Sequence, residues 1–299
     1  MITKIEMKRK RLLLLSMAFV FYIAASTALS NPLSPAMKNQ TNDYIQASLH
    51  QPEAPTLSKP FPESQYTPQS TPASDFDGTV GFFAKNLKTG QTIGYNQTLI
   101  FPTASTSKLA VALATYKYLY PYADAAAKNR YDEAIDRMMR ISDNESFYEL
   151  LDEIDARSCQ PLSRLVTDLG LMQTKIHNSE SFQQYQYSSV TTPYEMAALF
   201  ERIYRDTFLD REKSETLKIA LANTIFNDEL PRFLPGTVMH KIGELDDILC
   251  DVGVVDDGES QILISIYTRT DQGSDYASDF IASLAARLYN DLRSGKPCC

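Results

Sequence analysis

The strongest constraint on the fold is a change in the apolar period late in the chain. From about residue 105 to 222 apolar residues recur mainly at helical spacing, whereas three later runs alternate with a period of two. These runs predict strands over 237–243, 249–255 and 261–268, and Asp257-Gly258 favours a tight turn between the last two. Successive strands with such short connections pair in an antiparallel sheet.

An N-terminal hairpin and a final helix complete the pattern. Alternating runs over 79–85 and 92–96 predict the hairpin, and 275–292 predicts the closing helix. The helical spacing predicts helices over 105–118, 131–140, 144–154, 161–169, 193–204 and 214–222, the last with Ser214 as N-cap. This order indicates an α+β fold, an antiparallel sheet flanked by helices with an inserted all-helical lobe.

The N-terminus predicts export. A basic start is followed by the nearly continuous apolar run 12–25 and by small residues around Ala28-Leu29-Ser30. This is typical of a signal peptide, although an uncleaved anchor stays open. We therefore divide the chain into a signal peptide or anchor (1–30), a disordered Pro/Ser/Thr-rich linker (31–75) and one globular domain (76–296). The domain is expected in the periplasm or the extracellular space.

Composition excludes several functions. The net charge of −8 disfavours nucleic-acid partners, because phosphate binding requires clustered Lys and Arg. Three histidines and four cysteines show no zinc-like spacing, and phosphate-loop and dinucleotide motifs are missing from the sequence. We expect no metal or cofactor, a monomer, and membrane contact only through a possible N-terminal anchor. A Cys159–Cys250 disulfide is possible in an oxidising compartment but is not implied by the spacing.

The first candidate catalytic motif is Ser105-x-x-Lys108 at a predicted loop-to-helix junction. Residues three apart on a helix share a face, so the lysine amine can reach the serine hydroxyl. A lysine can deprotonate serine if burial or a neighbouring cation lowers its pKa. The helix N-terminus also offers free N–H groups to a developing oxyanion. Alone, this motif arises often by chance.

Two further motifs follow in order. Ser142-Asp143-Asn144 lies between two predicted helices, where helix capping explains it as well as catalysis does. Lys241-Ile242-Gly243 ends a predicted strand and is nearly uninformative alone, and its neighbour His240 is interpreted as structural.

Together the three motifs resemble the Ser-x-x-Lys, Ser-Asp-Asn and Lys-Thr-Gly set of class A β-lactamases and penicillin-binding proteins. The resemblance extends to the sequence around the motifs and covers roughly residues 76 to 294. The segments that carry it are FPTASTSK, AIDRMMRISDNESFYELL, VTTPYEMAALFERI, ELPRFLPGTVMHKIGEL, DVGVV and ILISIYT. It implies a β-lactamase/transpeptidase-like fold.

The resemblance also implies roles for the motif residues. Ser105 is the expected nucleophile, and Lys108 takes part in its deprotonation. Ser142 and Lys241 relay a proton to the leaving nitrogen. The expected substrate-binding residues are Asn144, which holds the substrate amide, together with Gly243 and Glu244, whose backbone N–H completes an oxyanion hole with that of Ser105.

The resemblance places the deacylating base in the loop before the 193–204 helix. Glu180 falls at the position of the family's glutamate, with Gln184 where a supporting asparagine is expected. The loop is shorter than usual, so Glu180 could equally be a solvated surface residue. Two departures weaken recognition of an anionic substrate: Ile242 replaces a hydroxyl residue, and Cys250 stands where the family has an arginine.

These observations predict an exported serine hydrolase that forms an acyl-enzyme at Ser105. The expected reaction is β-lactam hydrolysis of the class A type. The alternatives are a peptidoglycan D-Ala-D-Ala peptidase, a hydrolase of another amide or ester, and a degenerate protein that binds cell-wall peptide without turnover. An acidic rim around Glu244, Asp246, Asp247 and Asp251 favours a substrate that lacks a carboxylate.

Overall fold

A computed structural model describes residues 75–293 of the chain. The predicted signal peptide or anchor and, apart from residue 75, the predicted linker lie outside this part, so the domain boundaries stay predictions. Among the helices of 75–293, none combines the length and the apolar character needed to cross a membrane.

The described chain forms a five-stranded antiparallel sheet and a short two-stranded ribbon. The strands of this sheet are β1 (Thr79–Asn86), β2 (Thr92–Tyr95), β5 (Thr237–Glu244), β6 (Ile248–Asp256) and β7 (Gln261–Arg269). Their order in the sheet is β2-β1-β7-β6-β5, so the N-terminal hairpin joins the C-terminal meander through β1 and β7. The ribbon, which the sequence did not predict, pairs β3 (Phe101–Pro102) with β4 (Val190–Thr191).

Eight α-helices accompany the strands in residues 75–293. They are α1 (Ser107–Ala114), α2 (Ala125–Arg140), α3 (Asn144–Asp155), α4 (Pro161–Asp168), α5 (Ser179–Tyr185), α6 (Pro193–Tyr204), α7 (Arg211–Ala222) and α8 (Ser274–Arg293). The predicted α+β class is confirmed, with α1 to α7 between the hairpin and the meander in the chain.

Three local predictions are corrected. The helix expected over 105–118 is a 3-10 turn, then α1, then a π-helical turn over Thr115–Leu119. Ser214 is not an N-cap: α7 begins earlier, because the Asp210 side chain accepts a hydrogen bond from the Lys213 N–H. The polar loop expected around Glu180 contains the short helix α5.

The two faces of the sheet pack against different cores. One face packs on α8 through residues such as Ile242 and Ile264. The other packs on α1 and α6 through residues such as Cys250 and Tyr267. Every residue of α1 is buried, which is typical of a central helix, and each buried leucine there contributes about 1.5–3 kcal/mol. This core fixes the start of α1 beside the edge strand β5.

Candidate active site

Ser105 lies in a tight turn immediately before α1. The 3-10 turn Ala104–Thr106 follows β3, and Ala104 has a φ of +46°, an uncommon conformation for a residue with a side chain. The Thr106 hydroxyl holds the turn in place through the carbonyl of Thr103 at 2.6 Å and the hydroxyl of Tyr267 at 2.8 Å. The half-buried Ser105 side chain is thus presented from a strained and well-anchored backbone.

Lys108 connects Ser105 to the second motif. Its Nζ lies 3.0 Å from the Ser105 Oγ, 2.7 Å from the Ser142 carbonyl oxygen and 2.7 Å from the Asn144 Oδ1. The Ser142 Oγ is slightly farther away, at 3.2 Å. Burial and the nearby Lys241 charge lower the pKa of Lys108 to about 7, against the opposing effect of Asp143. A substantial fraction of this amine is therefore neutral at physiological pH.

These contacts fit a neutral Lys108. A neutral amine has two N–H donors and one lone pair, whereas an ammonium has three donors. The two shortest partners, the Ser142 carbonyl and the Asn144 amide oxygen, can only accept. The lone pair is then left for the Ser105 hydroxyl, which can donate. In this state Lys108 is oriented to take the Ser105 proton.

The Ser142-Asp143-Asn144 turn both caps a helix and builds the site. The Asp143 side chain accepts from the Ser146 N–H at 2.8 Å and so caps α3. Ser142 has a φ of +55°, and this turn brings its carbonyl and hydroxyl to Lys108. Asn144, the first residue of α3, reaches the same amine. Asp143 therefore caps the helix, whereas Ser142 and Asn144 form the site.

Lys241 approaches Ser142 from the opposite side. Its Nζ donates to the Ser142 Oγ at 2.9 Å and to the Ile242 carbonyl at 2.7 Å. Burial lowers the pKa of Lys241 to about 8, while the Asp251 carboxylate acts in the raising direction. The Ser142 hydroxyl therefore lies between two lysine amines, in a position to pass a proton between them and a bound substrate.

Gly243 and Glu244 form the edge of the cleft beside Ser105. Leu245 and Ile248 exchange backbone hydrogen bonds at 2.9 and 3.4 Å. In an antiparallel ladder the bonding direction alternates, so the Glu244 N–H points away from β6 toward the free edge of β5. A Cβ on Gly243 would lie 2.9 Å from the Ser105 nitrogen, so only glycine allows this close approach. The Ser105 and Glu244 N–H groups are thus available for an oxyanion hole.

Glu180 is not joined to this cluster. It lies in the first turn of α5, where its side chain is exposed. None of the hydrogen bonds described for residues 75–293 connects it to Ser105, Lys108 or Ser142. Gln184 on the same helix is also exposed. The role of Glu180 as a base stays a prediction.

Sequence reasoning missed the carboxylate that orders this loop. Glu195 is 3% exposed and accepts hydrogen bonds from the backbone N–H groups of Met172, Gln173 and Thr174 and from the Thr174 hydroxyl. The signal was the spacing Thr192-x-x-Glu195, a capping-box pattern. Thr192 does cap α6, but the Glu195 carboxylate bonds to the loop before α5 instead of to Thr192.

The two departures from the motif set lie on opposite faces of the sheet. The Ile242 side chain packs into the core beneath α8. Cys250 is fully buried, burial raises the pKa of its thiol, and its Sγ contacts the carbonyls of Thr103 and Gly243 at 3.5 and 3.4 Å. Cys159 is exposed and Cys250 is a free thiol, so the possible disulfide between them is not formed.

The acidic rim is divided between surface and core. Glu244 and Asp246 are exposed, and Asp247 pairs with Arg269 at 3.1 Å. Asp251 is fully buried on the other face of the sheet and belongs to a separate cluster with His240. In residues 75–293 no group of three His, Cys, Asp or Glu side chains is arranged to hold a metal ion.

A serine paired with a buried lysine at the start of a central helix, beside the edge of an antiparallel sheet, defines a serine hydrolase of the β-lactamase type. The model of the Beta-lactamase enzyme family matches residues 69–120 and 122–292, so the chain belongs to this family. A search of curated proteins gave no match.

Solved structures share the fold at low sequence identity. PBP-A is 20% identical with a TM-score of 0.64, over 74% of this chain and 93% of that one. A β-lactamase from Sphaerobacter thermophilus is 17% identical with a TM-score of 0.63, over 75% and 95%. The extended-spectrum β-lactamase TLA-1 is 19% identical with a TM-score of 0.64, over 74% and 95%. These similarities support the fold.

Proposed function

We propose that this chain is an exported serine hydrolase that is acylated at Ser105 and hydrolyses β-lactams. The observation that carries the proposal is the Lys108 Nζ, 3.0 Å from the Ser105 Oγ and held by two acceptor-only oxygens. A PBP-A variant, 20% identical to this chain, has been solved as an acyl-enzyme with penicillin G.

Acylation begins with proton transfer from the Ser105 hydroxyl to neutral Lys108. The Ser105 Oγ attacks the lactam carbonyl carbon, and the Ser105 and Glu244 N–H groups stabilise the oxyanion. When the C–N bond breaks, the ring nitrogen takes the Ser142 hydroxyl proton. Lys108, now an ammonium, returns a proton to Ser142, which restores the neutral amine. The Lys241 ammonium keeps the Ser142 hydroxyl oriented throughout.

Hydrolysis of the ester requires a base for water. Water adds to the ester carbon as its proton passes to the base, and when the ester bond breaks the base returns that proton to the Ser105 Oγ. We assign this role to Glu180, which must reach the site from its exposed position on α5. That exposure supports a second candidate, a penicillin-binding peptidase that β-lactams acylate but that releases them slowly. A binder without turnover does not require a full set of catalytic groups. The site nevertheless assembles five of them, from Ser105, Lys108, Ser142, Asn144 and Lys241.

Intact-protein mass spectrometry of the full chain with penicillin G distinguishes these outcomes. An adduct that forms and clears within minutes supports β-lactam hydrolysis, and a persistent adduct supports the peptidase. Ser105→Ala removes the adduct, whereas the control Ser179→Ala, at an exposed serine, keeps it. An adduct that persists in Ser105→Ala contradicts the proposal.

Glu180→Gln tests the deacylation step. We expect slower loss of the adduct with an unchanged rate of its formation, because only the second step uses the base. The control is Glu212→Gln, a first-turn glutamate of α7 that is 84% exposed. Equal turnover in both variants assigns Glu180 to the surface and leaves another group to activate water.

Export rests on the N-terminal sequence alone, and cell fractionation tests it. We expect the chain in the periplasmic or secreted fraction when residues 1–30 are present and in the cytoplasm when they are deleted. Mass spectrometry of the exported chain separates a cleaved signal from a retained anchor. Cytoplasmic protein in both cases contradicts export.

A further inference from the structure

A buried His–Asp pair lies behind the active site, on the face of the sheet that packs on α8. His240 and Asp251 are each 0% exposed. The alternation of β5 directs Lys241 toward Ser142 and its neighbour His240 to the opposite face. A Cβ on Gly253 would lie 2.4 Å from the Met239 carbonyl oxygen and 2.5 Å from the His240 Cβ, so glycine at 253 allows β6 to approach β5 closely beside the pair.

Each polar atom of this pair has a partner. His240 Nδ1 lies 2.9 Å from both carboxylate oxygens of Asp251, and Nε2 lies 3.0 Å from the Phe226 carbonyl oxygen. Asp251 also accepts from the Leu230 N–H at 3.1 Å. A carbonyl oxygen only accepts, so Nε2 carries a proton. A second proton lies between Nδ1 and the carboxylate, whichever of the two groups holds it.

These bonds fasten both ends of the segment 226–230, which connects α7 to β5. The residues just before it are bonded to the active-site side: the Thr224 hydroxyl and the Ile225 N–H both donate to the Arg140 carbonyl, at 3.1 and 3.0 Å. Arg140 is two residues before Ser142. The Phe226 ring centroid lies 6.0 Å from the Lys241 Nζ. The segment 224–230 thus spans from the Ser142 turn, past Lys241, to the pair behind the sheet.

We propose that His240 and Asp251 are positioning residues, which clamp the segment 224–230 as one wall of the Ser105 cleft and so hold Lys241 on the Ser142 hydroxyl. Whether the pair holds the segment in place does not depend on catalysis. Only the effect of the clamp on the reaction at Ser105 rests on the proposed function.

Other titratable groups face the pair. Glu229, at the start of the short turn before β5, has its pKa raised to about 7 by burial and by the Asp251 charge. Its Oε1 accepts from the Ser278 hydroxyl of α8 at 3.1 Å. Asp228 lies next to it, and Lys241 lies on the other face of β5.

Nitrogen-15 NMR of the histidine rings in the unaltered full chain tests the clamp directly. His50→Gln and His177→Gln assign the three histidines. We expect the His240 Nε2 to carry a slowly exchanging proton, because it donates to the Phe226 carbonyl. An Nε2 that carries no proton overturns the proposal, because it cannot donate a hydrogen bond to the Phe226 carbonyl. This measurement needs no variant at the pair.

Substitutions at Asp251 test whether the two hydrogen bonds form the clamp. In Asp251→Asn the amide N–H can donate to His240 Nδ1, and its oxygen can still accept from Leu230 N–H, so the clamp is kept. In Asp251→Leu both bonds are lost. The matched controls are Glu201→Gln and Glu201→Leu, at a partly buried carboxylate on α6 that pairs with Lys85 and Arg205.

The rate of amide hydrogen exchange in 224–230 measures whether the clamp holds the segment. The rate of acylation by a fluorescent penicillin measures the effect of the clamp on Ser105. Relative to the controls, Asp251→Leu is expected to accelerate exchange in 224–230 and to lower the acylation rate constant about tenfold, with a smaller change in the binding constant. Asp251→Asn is expected to keep exchange slow and to keep the acylation rate constant near that of the unaltered chain, because both hydrogen bonds of the clamp are retained.

The outcomes are distinguishable. Unchanged exchange in Asp251→Leu overturns the clamp, and so does exchange in Asp251→Asn that is as fast as in Asp251→Leu. If the unaltered chain is not acylated at all, the proposed function fails, while the exchange and NMR results still decide the clamp.

Discussion

At the scale of single residues, the chemistry of the site depends on the two lysines and on what surrounds each amine. Lys108 has two acceptor-only partners and the Ser105 hydroxyl. Lys241 has the Ser142 hydroxyl and a carbonyl. Both are almost fully buried. Burial and the Lys241 charge lower the pKa of Lys108 to about 7, whereas the Asp251 charge opposes the effect of burial on Lys241, whose pKa is lowered to about 8. Together with these contacts, the values support the proposed roles of Lys108 as base and Lys241 as cation.

Lys108→Arg removes the base while keeping a long cationic side chain. A guanidinium stays protonated at all accessible pH values, so we expect acylation of Ser105 to slow by about 10²–10⁴-fold. The second-order rate constant with a fluorescent penicillin measures this loss. Lys117→Arg is the control, because that exposed amine bonds only to the Phe208 carbonyl. An active Lys108→Arg enzyme contradicts the assignment of the base.

The pH profile of acylation follows from the same two groups. The rate rises with pH as Lys108 loses its proton near pH 7 and falls as Lys241 loses its proton near pH 8. We therefore expect a bell-shaped kcat/KM with a narrow optimum between these values. Because the two amines interact, the limbs report the pair and not each lysine separately. A rate that keeps rising up to pH 10 is incompatible with a charged Lys241 in the reaction.

At the scale of elements, the approach of β5 to the turn before α1 positions the oxyanion donors. Gly243 lies where a Cβ would be 2.8 Å from the Cys250 Sγ and 2.9 Å from the Ser105 nitrogen. The β3–β4 ribbon fixes the other side of the turn, since the Thr103 N–H donates to the Ser189 carbonyl at 3.1 Å. The nucleophile is thus held between an edge strand and a short ribbon.

Gly243→Ala tests this contact. The added methyl group separates β5 from Ser105, so we expect about a 10²-fold loss of acylation through displaced oxyanion donors. Cys250→Ala removes the contact with Sγ but leaves the contact with the Ser105 nitrogen. The double variant should therefore regain stability without regaining acylation. Full recovery of acylation in the double variant shows that the thiol, and not the Ser105 backbone, limits the approach.

Glu195→Gln tests how the loop before α5 is held. The new amide N–H₂ faces backbone donors that previously bonded to a carboxylate oxygen, so we expect a loss of about 1–3 kcal/mol in the free energy of unfolding. Chemical denaturation measures the loss, with the exposed Glu212→Gln as control. Equal stability of the two variants contradicts an anchoring role for Glu195.

At the scale of the whole molecule, the buried lysines make folding depend on pH. Their pKa values lie below the usual value of 10.5, so between about pH 7 and 9 the unfolded chain binds more protons than the folded chain. Stability therefore rises with pH across this window. Urea denaturation of Lys108→Met is expected to show a weaker rise than the unaltered chain. An identical slope in both proteins contradicts the lowered pKa of Lys108.

The sequence by itself determined the order of elements and the chemistry of the motif residues. The change from helical to alternating period fixed the hairpin, the helical lobe and the meander, because which residues face the core depends on local spacing. The joint order of the motifs around Ser105, Ser142 and Lys241 identified the residues that meet. Ser105 and Lys108 are one turn apart, so their contact is a local property of the helix.

The properties that depend on long-range contacts were decided only by the tertiary structure. Ser142 meets both lysines because the turn before α3 and the strand β5 converge, although 99 residues separate Ser142 from Lys241. The exposure of Glu180, the loop bonds of Glu195 and the His240–Asp251 clamp depend on packing between distant segments. A single sequence carries no signal for such contacts, since burial and pKa are set by neighbours that are remote along the chain.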